Sequence, residues 1–248
     1  MRIAVMGTGA LGGFFGGLLA RAGEDVVFIA RGAHLAAIRD RGLTVKSERV
    51  GDFALPVWAT DDPREVGSVD LVLFGVKTYD LEAAAEQMRP LLGPETVMLP
   101  VQNGVDIAER IGRVIGSEHV LGGLTWVGGK IEAPGVITQN ASSGSTMLQF
   151  GELAVGASRR AEQLLDPFER AGITAELHPN VRVPLWRKFV GVCANGGMTA
   201  LTRLPLGPIL ACSESRAMYL GAMEEVARWR EPAGLSCRTR WWTKRSPS

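Results

Sequence analysis

The sequence predicts an α/β chain: a parallel sheet with crossover helices over residues 1–180, followed by an all-helical segment over 181–248. Three observations carry this. Through the first eighty residues, short β-branched runs alternate with longer helical patterns, the order that parallel strands joined by crossovers require. The first run leads straight into a glycine-rich turn, Gly7-Thr8-Gly9-Ala10-Leu11-Gly12. From Pro184 to Arg230 the pattern is helical throughout.

Taken in order, Met1–Met6 reads as a strand, Leu11–Ala22 as a helix and Asp25–Ala30 as a second strand, a βαβ opening. Ala33–Arg41 is helical in composition, while Leu43–Lys46 and Phe53–Ala59 are extended. Asp70–Val76 has the continuous apolar character of a strand covered on both faces. Asp80–Leu92 is a helix ended by Gly93 and Pro94, Thr96–Gln102 a strand, and Val105–Ile115 a helix. After His119 glycine, serine and threonine dominate, and the period-two stretches Leu124–Ile131 and Gly135–Gln139 read as antiparallel strands or hairpins. Ser158–Gly172 is an amphipathic helix, Ile173–Leu177 a strand, and Pro184 opens a long helix at its first position.

Composition excludes several classes. With 46% hydrophobic and 21% charged residues the chain is globular rather than disordered. A net charge of +1 gives no general attraction to nucleic acid or anionic membrane, so an anionic ligand must be held locally. Cys193, Cys212 and Cys237 are odd in number and lack CxxC spacing, which argues against a disulfide framework or a zinc site and for a reducing, cytoplasmic setting. His34, His119 and His178 are scattered without metal-ligand spacing, so no metal is expected.

The strand–turn–helix context turns Gly7–Gly12 into a dinucleotide-binding signal. Gly7 allows the tight turn, Gly9 lets backbone approach a pyrophosphate, and Gly12 lets the helix pack on the strand. The helix N-terminus, with Thr8, Ala10 and Leu11 completing the loop, offers free N–H groups and partial positive charge. At the end of the second strand, where a carboxylate would hold an adenosine ribose, the chain has Ala30 and Arg31. A guanidinium suits a 2′-phosphate, so NADP is expected over NAD. Lys77 and Asn103 each lie just past the carboxyl end of a predicted strand, where open α/β sheets bind ligands. Asn103 with Gly104 is also a turn pair. Lys188 sits in an otherwise apolar helix, so its ammonium must face a cleft or find a partner.

Gly7–Gly12, Ala30-Arg31-Gly32, Val76-Lys77-Thr78, Val101-Gln102-Asn103-Gly104, and Trp186-Arg187-Lys188-Phe189 leading to Thr199-Ala200-Leu201-Thr202 together resemble ketopantoate reductase (2-dehydropantoate 2-reductase). The resemblance covers roughly residues 1–230. It implies a Rossmann domain followed by a helical domain, and NADPH-dependent reduction of 2-dehydropantoate to pantoate in pantothenate and coenzyme A biosynthesis. It also implies that Lys77 and Asn103 line the nicotinamide end, that Asn103 and Lys188 meet the substrate, and that Lys188 donates the proton. The partner is then a small 2-oxo acid, with no nucleic acid or membrane, and a homodimer is allowed.

Two departures stand out. Where well-known members carry asparagines one and two turns beyond the lysine, this chain has Val192 and Gly196. Asn195, seven residues past Lys188, returns to about 20° from the same helical face and could substitute in binding substrate. It could equally be a structural amide that breaks the helix before Gly196-Gly197. The family's later helices and their Ser-Ser-Met segment are absent, and from about residue 231 the sequence turns to Arg, Trp, Ser and Pro. A truncated helical domain with a frameshifted or prematurely ended tail is the expectation, with a naturally short member as its alternative. A cofactor-binding protein without turnover and a reductase of another 2-oxo acid are the rival readings.

Overall fold

The computed structural model describes residues 1–139, 146–156 and 158–229, so the expectation for the tail from about 231 lies outside the described residues. In chain order the elements are β1 (Arg2–Met6), α1 (Ala10–Arg21), β2 (Asp25–Ile29), α2 (Gly32–Arg41), β3 (Leu43–Lys46), β4 (Phe53–Leu55), β5 (Trp58–Thr60) and β6 (Leu71–Phe74). Then follow α3 (Leu81–Gln87), β7 (Val97–Pro100), α4 (Ile107–Ile115), β8 (Gly122–Thr125), β9 (Gly129–Ala133), β10 (Val136–Gln139), β11 (Leu148–Gly151), α5 (Arg159–Glu162), α6 (Leu165–Arg170) and β12 (Ala175–Leu177). The last are α7 (Arg182–Thr202), α8 (Leu206–Ala211) and α9 (Ser213–Arg228). The chain divides into two compact units at Val181/Arg182.

In the first unit a five-stranded parallel sheet runs in the order β5-β2-β1-β6-β7, with Val5 registered against Phe28 on one side and Leu73 on the other. Strand alternation sorts the core. Ile3 and Val5 pack with Phe14, Phe15, Leu18 and Leu19 of α1, while Ala4 and Met6 pack with Leu81 and Ala85 of α3 and Ile111 of α4. Helices on both faces leave β6 buried throughout and β1 buried from Ile3 onward, the α/β Rossmann arrangement. Two smaller sheets, β4-β3-β10-β9 and β12-β11-β8, complete the unit. Near β1, the buried Glu24 carboxylate accepts from the Met1 ammonium at 2.6 Å and from Arg170.

The second unit is helical, with α7 and α9 meeting through Val190, Ala194 and Met223. Among the described residues no helix is long and apolar enough to cross a membrane.

The structure differs from the sequence expectation at proline residues. Phe53–Ala59 is not one strand: around Pro56, which has no N–H to donate, β4 pairs with β3 and β5 joins the main sheet on β2. The helix expected over Asp80–Leu92 begins as a 3₁₀ turn at Thr78–Asp80 and stops at Gln87, ahead of Arg89-Pro90. Ser158–Gly172 is two short helices, because Pro167 cannot donate to the carbonyl four residues back. Leu124–Ile131 falls into β8 and β9, which belong to different sheets: β8 pairs antiparallel with β11, β9 forms an antiparallel hairpin with β10, and β10 is parallel to β3. Pro184 is the third residue of α7 rather than the first, still within the turn whose N–H groups lack intrahelical partners.

Candidate functional site

The three glycines of the first loop have different causes. Gly7 has φ +93°, and a Cβ there would lie 2.8 Å from the Val76 nitrogen. A Cβ on Gly12 would lie 2.3 Å from the Gly7 carbonyl oxygen. The turn and the close seating of α1 on β1 therefore require glycine at both positions. Gly9 is otherwise: its φ of −80° and ψ of −165° are open to any residue, and among the described residues a Cβ would meet nothing within 4 Å. Among the described residues nothing gives a reason for glycine at position 9.

Gly9 is the N-cap of α1, and its carbonyl accepts from the Gly13 N–H at 2.7 Å. No acidic residue lies in the first turn, so the positive end of the helix is uncompensated. Thr8 is buried and anchors the loop: both its N–H and its Oγ1 donate to the Ile29 carbonyl, at 3.1 and 3.0 Å. Ala10 and Leu11 begin the helix, with Leu11 half-buried against the core. The loop thus offers an open backbone face and a helix N-terminus, a donor set that suits a pyrophosphate.

Around this loop the carboxyl ends of neighbouring strands bring further candidates together. Arg31 directly follows the β2–Ala30 stretch, and its exposed guanidinium pairs with Asp80 at 2.5 Å. Lys77 is exposed at the end of the segment from β6, one residue past Val76, against which Gly7 closes. Asn103 is exposed past β7, on a loop tied to β6 by the Val101 N–H bond to the Phe74 carbonyl at 3.0 Å. Gly104 beside it has φ +132°, so the pair does form a tight bend.

Two residues escaped the sequence reading. In the sequence Asp80 is only the first residue of an expected helix, three residues beyond Lys77. Gln102 is buried, and among the described residues neither its Nε2 nor its Oε1 has a hydrogen-bond partner, an unsatisfied amide at the same edge of the sheet as Asn103. Its place beside Asn103 was the available signal.

Lys188 and Asn195 belong to the second unit, both on α7. Lys188 is half-buried, and burial pushes its ammonium down to about 8. Trp186 and Phe189 on either side of it in sequence pack edge to face, with ring centroids 5.7 Å apart. Asn195 is exposed and does not break the helix: α7 runs unbroken through Gly196 and Gly197 to Thr202. The Asn195 carbonyl accepts from Thr199 Oγ1 at 2.7 Å. Cys193 on the same helix is half-buried, and partial desolvation raises its thiol. Among the described residues no group of His, Cys, Asp and Glu could hold a metal.

Residues 3–154 match the family model described as ketopantoate reductase PanE/ApbA, and residues 180–243 match its C-terminal counterpart. An uncharacterized oxidoreductase, YkpB, of Bacillus subtilis (strain 168) is 31% identical over 218 residues, 87% of this chain and 70% of that protein. The 2-dehydropantoate 2-reductase of Mesorhizobium japonicum is 30% identical over 256 residues, 95% of this chain and 77% of the relative. Among solved structures, 2-dehydropantoate 2-reductase from Porphyromonas gingivalis W83 is 35% identical with a TM-score of 0.85, covering 94% of this chain and 83% of that one.

Proposed function

We propose, from the premise that this chain belongs to the ketopantoate reductase family, that it reduces 2-dehydropantoate to pantoate with NADPH, a step of pantothenate and coenzyme A biosynthesis. The single observation that supports nucleotide binding best is Gly9. Its open Cβ position has no structural cause, and a pyrophosphate lying on the loop backbone supplies one. The reduced nicotinamide, when bound, supplies the hydride. Everything else falls to side chains and backbone of this chain.

In this reading the Gly7–Gly12 loop, with the N–H groups opening α1, binds the diphosphate, and Arg31 binds the 2′-phosphate. Lys77 and Asn103 orient the nicotinamide end, and Asn103, Lys188 and Asn195 bind the 2-oxo acid. Hydride addition to the ketone leaves an alkoxide, which a positioned ammonium stabilises and protonates. Lys188 suits that work. With a value of about 8 it is still protonated at neutral pH, yet it gives up its proton far more readily than an ordinary lysine.

Val192 and Gly196 favour a second reading, a different 2-oxo acid as substrate, because family members carry asparagines at these positions. Assay of a panel of 2-oxo acids with NADPH separates the two. Fastest NADPH oxidation with 2-dehydropantoate, abolished by Lys188→Ala, is the expected result. Faster turnover of another 2-oxo acid favours the second reading, and NADPH binding without turnover of any of them favours a cofactor-binding protein. Full activity of Lys188→Ala would remove that residue from its role.

A further inference from the structure

Asp80 occupies the position just before α3 where an aspartate ordinarily caps its own helix, yet it makes no capping bond. Its carboxylate instead crosses 49 residues of sequence to the Arg31 guanidinium, Oδ2 to Nη2 at 2.5 Å. The Arg31 side chain is 83% exposed and the Asp80 side chain 35%, so surrounding side chains do not force this pairing. The 3₁₀ turn Thr78–Asp80 sets it up: the Asp80 N–H donates to the Lys77 carbonyl at 3.0 Å and fixes where the carboxylate starts. A carboxylate that β2 lacks at its own end is thereby delivered there from the loop after β6.

We propose that Asp80 is a coenzyme-selectivity residue that restrains the preference for NADPH and admits NADH. The inference rests on the dinucleotide reading given above. Its physical basis is charge. A ribose 2′-hydroxyl can donate to a carboxylate, as it does where an acid ends the second strand of such folds. A 2′-phosphate carries close to two negative charges, and on the Arg31 guanidinium it competes with Asp80 for the same donors. Two anionic groups sharing one guanidinium sit roughly 5 Å apart, and in a solvent-exposed setting their repulsion weakens binding by about tenfold at low salt. Arg31 attracts the phosphate and Asp80 opposes it, so the discrimination is set by the pair rather than by the arginine alone.

The test is fluorescence titration of NADPH and NADH against the full-length wild type, Asp80→Asn and Asp80→Ser at low ionic strength, with circular dichroism to establish folding. Asparagine keeps the size of the side chain and one acceptor oxygen, and removes the charge while exchanging the other oxygen for an amide N–H2. The expected result is a rise of about tenfold in the NADPH-to-NADH affinity ratio in Asp80→Asn, mainly through tighter NADPH, with a change of the same sign in Asp80→Ser. A merely structural role for Asp80 would weaken both nucleotides together and leave the ratio where it was. A ratio that stays within twofold, or falls, in a folded variant overturns the proposal. If the wild type binds NADPH and the ratio does not move, Asp80 alone is wrongly assigned; if it binds neither nucleotide, the dinucleotide reading fails and the proposal with it.

Discussion

Replacement of Gly9 by alanine separates a loop built for a ligand from one built only to turn. Among the described residues the added methyl group meets nothing within 4 Å, and the backbone at φ −80° and ψ −165° accepts alanine without strain. Two small terms remain. Alanine is a poorer N-cap than glycine by roughly 0.5–1 kcal/mol, and it lowers the entropy of the unfolded chain by about 0.4–1 kcal/mol in the opposite sense. They offset, so the urea midpoint should hardly move. A pyrophosphate seated on this backbone, however, would meet the methyl directly. Overpacking a close contact costs about 1–3 kcal/mol, which is roughly a 5- to 150-fold loss of affinity for NADPH. Equilibrium binding and denaturation on the same preparation read both quantities. Unchanged NADPH affinity in a normally stable Gly9→Ala protein would refute the reasoning, because the open space would then have no occupant.

Gly12→Ala should behave in the opposite way: its methyl would lie 2.3 Å from a backbone carbonyl, so stability falls by about 1–3 kcal/mol and binding falls with it, measurable by urea denaturation and titration. The rate of ketone reduction should decline as pH rises through about 8, where Lys188 loses its proton, and Lys188→Arg should carry any residual activity to higher pH. Burial holds the folded value of Lys188 below its unfolded one, so the wild type should gain stability relative to Lys188→Met between about pH 8 and 10.5; the difference between their denaturation curves tests this. For Glu24, burial raises the carboxyl pKa, but the Met1 ammonium and Arg170 outweigh it and the net shift is downward. Its contribution is therefore complete above the unfolded carboxyl value and fades as pH falls through the lower folded one. Glu24→Gln should cost about 1–3 kcal/mol near neutrality, less than a fully buried pair because Arg170 is half in solvent, and the deficit should shrink in acid.

The parallel sheet was legible because its signals are local. Ile3 and Val5 on one face of β1 and Ala4 and Met6 on the other are all apolar, and Gly7 and Gly12 have steric causes that any sequence with this turn must meet. Helix and strand ends were less legible wherever a proline intervened, since Pro56, Pro90 and Pro167 each remove a donor without announcing which neighbour the chain will pair with next. The sheet partners of β8, β9 and β10 depend on contacts far away in sequence, such as Ile137 against Val45, which periodicity cannot supply. In the candidate site, residues tied to a motif were visible, whereas Asp80 was not. Its partner lies 49 positions away, and an acid at the start of a helix has an ordinary explanation that conceals the pairing.

The Met1 ammonium held by Glu24 bears on how the protein is handled. A purification tag fused ahead of Met1 turns that cation into a neutral amide and brings bulk to a carboxylate whose side chain is only 4% exposed. The fusion would leave Glu24 with Arg170 alone, loosening the link between the start of β1 and α6. Melting temperatures measured on such a fusion would understate those of the unmodified chain, most of all near neutral pH, where the carboxylate is charged.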